Sequence, residues 1–162
     1  MRLALVLLPV LVLAACSREE RAPAPPAVPA EPAPVLAGVD LTQPVRALGT
    51  EPFWSLDLDG RAMSWTNADG ASARADQPDP VIQGTTAKFE AATADGEAFE
   101  VMLIATQCSD GMSDRLYPLV AQVKVADREL SGCAASRAAL MTAPESGPVQ
   151  APAAPAAPQP VG

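Results

Sequence analysis

Between residues 45 and 135 apolar and polar positions alternate in short runs separated by turn residues, and a period of two predicts strands rather than helices. In Phe53-Trp54-Ser55-Leu56-Asp57-Leu58 the side chains of Trp54, Leu56 and Leu58 share one face. Asp59-Gly60 reads as a type I′ turn, and Arg61-Ala62-Met63-Ser64-Trp65-Thr66 returns. A two-residue loop pairs Leu58 with Arg61, Leu56 with Met63 and Trp54 with Trp65. One face is then aromatic and aliphatic, while Ser55, Asp57, Ala62 and Ser64 line a wet face. Phe53, on the wetter side, is placed as a cap on an open end of the sheet.

A second hairpin is centred on Asp95-Gly96. A three-residue loop, Ala94-Asp95-Gly96 with Gly96 left-handed, sets Phe89 opposite Val101 and Ala91 opposite Phe99. That register also sets Glu90 opposite Glu100, tolerable on a solvated face, and brings Leu103 beside Ala87 on a strand continuing to Cys108. A third hairpin pairs residues 119–125 with residues 129–133 through Asp127-Arg128, with Leu119, Ala121, Val123 and Val125 inward. Residues 67–83 read as a long loop with a short strand at Val81-Ile82. Ser136-Arg137-Ala138-Ala139-Leu140-Met141 reads as a short helical turn. The expected fold is all-β, a small antiparallel barrel or sandwich of about six to eight strands flanked by disordered Pro/Ala-rich segments.

The two ends depart from this pattern. Met1-Arg2 supplies a positive start, and the apolar run that follows is too short to span a membrane. Leu13-Ala14-Ala15-Cys16 closes it with small residues before a cysteine. This resembles the lipobox of bacterial lipoproteins, which implies lipid addition at Cys16 and cleavage before it. Residues 1–15 are thus an expected signal peptide and residues 16–44 a lipid anchor with a Pro/Ala-rich tether. At about 3.1 Å per residue such an extended tether reaches roughly 80 to 90 Å. Residues 45–135 form the expected domain, and residues 136–162 an expected disordered tail. Ser17 after the cysteine favours the outer membrane, facing the periplasm.

Composition removes several classes of function. The chain has no histidine, which excludes Ser-His, Cys-His and His-zinc chemistry. A net charge of −8 argues against a nucleic-acid surface. Cys108 and Cys133 remain after lipidation, and an oxidising compartment favours a bond between them. Closing a loop of that size stabilises a domain by roughly 3 to 4 kcal/mol on the chain-entropy model. A redox-active pair would instead show Cys-x-x-Cys spacing at a helix start. Ser109, Asp110, Ser113, Asp114, Arg115 and Tyr117 form a candidate binding loop, and Glu51, Phe53 and Trp54 a candidate binding edge. The loop oxygens lack EF-hand spacing, so no metal ligand set and no cofactor is expected. The alternative for the loop is internal: aspartates accepting from the turn's own amides, with Arg115 pairing with one of them. Trp54 and Trp65 read first as core and second as a stacking platform.

Gly49-Thr50-Glu51-Pro52-Phe53-Trp54, the run from Cys108 to Pro118 beginning Cys-Ser-Asp-Gly-Met-Ser-Asp-Arg, and Gly132-Cys133-Ala134 resemble signatures of a family of uncharacterised proteobacterial lipoproteins. The layout of lipobox, spacer and small disulfide-bonded β domain is also similar to META-type envelope proteins and membrane-bound lysozyme inhibitors. The inhibitors' blocking Ser and Lys loop has no counterpart, since Lys88 and Lys124 both fall in expected strands. The expectation is a non-catalytic binding or structural domain, held to a membrane by its lipid anchor, with an envelope protein or a glycan as candidate ligand and no nucleic-acid partner. The alternatives are an inhibitor of a lytic enzyme such as lysozyme and a small hydrolase.

Overall fold

The computed structural model describes residues 33–150. The expected signal peptide, Cys16, the tether up to residue 32 and the tail from residue 151 lie outside the described residues. β1 (Val35–Leu36) and β2 (Val39–Asp40) make a small hairpin. A first meander follows: β3 (Val45–Thr50), β4 (Phe53–Leu58), β5 (Ala62–Asn67) and β6 (Ser72–Asp76). A second consists of β7 (Val81–Gln83), β8 (Thr86–Ala92) and β9 (Ala98–Ile104). Next come β10 (Cys108–Ser109), β11 (Asp114–Tyr117), β12 (Leu119–Val125) and β13 (Arg128–Ser136). The described chain closes with α1 (Arg137–Thr142) and β14 (Ser146–Pro148).

The hairpin β12–β13 lies between the two meanders. The resulting sheet has nine antiparallel strands in the order β6-β5-β4-β3-β13-β12-β9-β8-β7. Twist and a one-sided apolar pattern make a sheet of this width curl around its own greasy face. Here β6 comes against β8 and the sheet forms a half-barrel. Trp54, Leu56, Leu58, Met63, Trp65, Phe89, Phe99, Val101, Leu103, Leu119 and Val123 are all buried in its core. The convex face is polar, with Arg46 and Asp57, directly opposed on β3 and β4, bonded through two contacts of 2.9 and 2.7 Å.

A second small core lies on the opposite face of β13. Cys133 and Ala135 pack there with Tyr117, Ala139 and Val149. The cover is a three-stranded sheet, β10-β11-β14, together with α1, whose N-cap Ser136 accepts a hydrogen bond from the Ala139 amide at 3.0 Å.

Several expectations need correction. In the first hairpin Leu58 opposes Met63, Leu56 opposes Trp65, and Trp54 opposes Asn67. The register is offset by two residues because four residues, Asp59 to Ala62, connect the paired Leu58 and Met63 instead of two, the Asp59 carboxylate accepting from the amides of Arg61 (2.9 Å) and Ala62 (2.7 Å). An offset of two leaves each side chain on its expected face. Ala62 is the exception: it is buried, next to the backbone bond in which the Gln77 amide donates to the Arg61 carbonyl. In the third hairpin Val125 opposes Arg128, so the turn is Ala126-Asp127, one residue earlier than expected. β9 stops at Ile104, and Cys108 belongs to the small sheet. Residues 67–83 contain β6 as well as the expected strand at Val81–Gln83.

The second hairpin has the expected register, Phe89 to Val101, Ala91 to Phe99 and Glu90 to Glu100. Lys88 sits between the two glutamates, at 2.6 Å from Glu90 and 3.3 Å from Glu100. The packed domain is longer than residues 45–135. Leu36, Val39 and Leu41 are buried before it, and Ala139 and Val149 after it.

Candidate binding surface around the disulfide loop

Cys108 and Cys133 are bonded, with Cα atoms 5.5 Å apart. The bond fastens β10 to the middle strand of the sheet and fixes one end of the polar loop. The other end is fixed by Tyr117, opposite Cys108 in the β10–β11 pair and 2% exposed. Between them Gly111 takes a positive φ of 72°, a conformation that costs glycine little.

Asp110 organises this turn. Its Oδ1 accepts from the amides of Met112 (3.0 Å) and Ser113 (2.8 Å), and its Oδ2 from the hydroxyls of Ser113 and Tyr117, both at 2.8 Å. Partial burial pushes its carboxyl up. The Ser113 and Met112 amides and the two hydroxyls outweigh this and lower it to about 2. Burial, and then the bond to Asp110, raises the Tyr117 hydroxyl above the ordinary tyrosine range. Ser109 Oγ accepts from the Gly111 amide at 3.3 Å, and Ser113 Oγ from the Arg115 amide at 3.3 Å. Arg115 turns away from the loop aspartates, donating to the Pro144 carbonyl (3.0 Å) and to Glu145 (3.2 Å). The expected pairing of Arg115 with an aspartate is replaced because β14 runs parallel beside β11 and brings Glu145 into reach. Asp114 is exposed.

The candidate edge and the candidate loop meet. Thr50 Oγ1, at the turn between β3 and β4, donates to the Asp110 carbonyl at 2.9 Å. Glu51 and Phe53 are exposed there, Phe53 at 54%, and Met112 in the loop at 69%. Trp54 belongs to the core. Its indole lies over Gly49 and Gly132, where a Cβ would overlap the ring. Gly132 faces the Leu48 carbonyl as closely. The glycines of both sequence motifs are therefore the space in which Trp54 packs. The other tryptophan, Trp65, is buried with its Nε1 unpartnered and the Arg128 guanidinium 5.6 Å from its ring centroid.

Sequence reasoning missed the contribution of Glu145, Ser146 and Val149. Their signal was slight: a charge and a valine interrupting the Ala/Pro repetition. Among the described residues no group of three or more acidic or cysteine side chains converges on a point where a metal ion could sit, and no helix is long and apolar enough to cross a membrane. No protein-family model, curated protein or solved structure matches this chain.

Proposed function

We propose that this chain is an exported lipoprotein of the cell envelope, anchored through Cys16, that presents a non-catalytic β domain as a binding module. The observation that carries the reading is the Cys108–Cys133 bond, which suits an oxidising compartment and so agrees with the lipobox-like Leu13-Ala14-Ala15-Cys16. The loop's polar side chains favour a scaffolding role, because Asp110, Ser113 and Tyr117 spend their hydrogen-bonding capacity on one another and on loop amides. The surface left to a partner, an envelope protein or a glycan, is then the Glu51–Phe53 edge with Met112 beside the loop.

Cys16→Ser tests the anchor. The full chain should move from the membrane to the soluble periplasmic fraction and lose the mass of its acyl chains. Unchanged fractionation and mass would remove the anchor from the proposal. The soluble chain then tests the surface. Phe53→Ser with Met112→Ser should abolish its retention by envelope extract without changing its melting temperature. Retention that survives both substitutions places the binding surface elsewhere.

A further inference from the structure

Where β3 and β5 finish and β4 begins, a cavity of about 410 Å³ lies beside Phe53, within the size range of binding clefts. Strand pairing brings its walls together. Phe53 opposes Thr50, and Ser55, on the same face of β4, opposes Leu48 on one side and Thr66 on the other. No charged side chain lines the cavity, although the chain carries a net charge of −8. Glu51, on the adjoining turn, lies outside the lining.

The polar groups here keep hydrogen-bonding capacity of the kind that Asp110, Ser113 and Tyr117 spend on their own loop. The Ser55 and Thr66 hydroxyls share one bond at 3.1 Å, so the pair retains one hydroxyl hydrogen and several lone pairs. Asn67, also in the lining, gives one amide hydrogen to Asp69 (3.2 Å) and accepts from the Ala71 amide (2.8 Å), which leaves its second hydrogen. Next to these groups Phe53 is 54% exposed. The negative face of an aromatic ring attracts positively polarised C–H edges. An exposed ring beside neutral groups that both donate and accept matches a sugar, which has a C–H face and a rim of hydroxyls. A charged partner would find no counter-charge in this lining.

We infer that this cavity binds an uncharged glycan, with one sugar ring on Phe53 and its hydroxyls bonded to Ser55, Thr66 and Asn67. The inference rests on the binding-module reading of the same edge and narrows its ligand to a neutral saccharide.

Amide NMR spectra of the full-length soluble chain carrying Cys16→Ser, titrated with tri-N-acetylchitotriose and with maltotriose, test it. At least one trisaccharide should move the signals of Phe53, Ser55 and Thr66 and leave those of Ile82, on the edge strand β7, in place. Phe53→Ala, and separately Ser55→Ala with Thr66→Val, should weaken that binding at least about tenfold. These side chains lie outside the buried core, so the rest of the spectrum should stay as in the parent and report the fold. Signals that neither trisaccharide moves, or shifts that survive both sets of substitutions, would overturn the inference. If neither trisaccharide binds while Phe53→Ser with Met112→Ser still abolishes retention by envelope extract, the edge takes a protein: the glycan is overturned and the binding module stands. Retention that survives those substitutions as well would overturn both.

Discussion

Four donors converge on the Asp110 carboxylate, and that convergence makes stability depend on pH. Its folded value of about 2 lies below the ordinary 3.8, so the stabilising term is complete above the unfolded value and is lost as pH falls from about 4 through about 2. For a carboxylate still partly in contact with water this amounts to about 1 to 2 kcal/mol. Asp110→Asn should therefore be less stable than the parent at pH 7, and the two should converge near pH 2. Urea titrations at pH 7, 5, 3 and 2 measure this, and a constant gap across the range would show that the charge does not hold the loop.

At the scale of elements, the disulfide and the Arg115 contacts hold the same loop with very different strengths. The bond joins residues 25 apart in sequence, and its loss by Cys133→Ser should cost about 2 to 5 kcal/mol in a domain of this size. Glu145, the ionic partner of Arg115, is 98% exposed, so Arg115→Ala should cost less than about 1 kcal/mol. Thermal unfolding of both variants checks the ranking, and an Arg115→Ala loss as large as that of Cys133→Ser would mean that β14 depends on the guanidinium. The hairpins show how local register is read. Gly96, with its positive φ, marked the second turn correctly, because the one side chain serving that loop, Thr93, accepts from the amide of Glu97, its own backbone partner across the turn, and leaves the register in place. Asp59 displaced the first register because its carboxylate serves the turn amides, an option that a turn dipeptide alone does not display.

For the whole molecule, the length of the domain is the testable quantity. Leu36, Val39 and Leu41 are buried ahead of β3, and burying such a side chain contributes roughly 1.5 to 3 kcal/mol each. A chain of residues 33–150 should unfold cooperatively, whereas residues 45–135 should lose several kcal/mol or fail to fold, exposing Tyr117 and Cys133. Equal denaturation midpoints for the two would mean that the flanking elements merely rest on the sheet.

What the amino-acid sequence settled by itself was local and periodic. The alternation in residues 53–58 and 119–125 assigned their strands and inward faces, since a period of two needs no knowledge of neighbours. The same reading singled out Cys108 and Cys133 as a pair and both glycine motifs as special. Tertiary structure alone decided that β13 lies between β3 and β12, that Gly49 and Gly132 make room for Trp54, and that Arg115 reaches Glu145 rather than an aspartate of its own loop. It also decided that Leu36 and Val149 belong to the cores although Pro/Ala-rich sequence adjoins them. These outcomes rest on contacts between segments far apart in the chain, and such contacts leave no period for a local pattern to display.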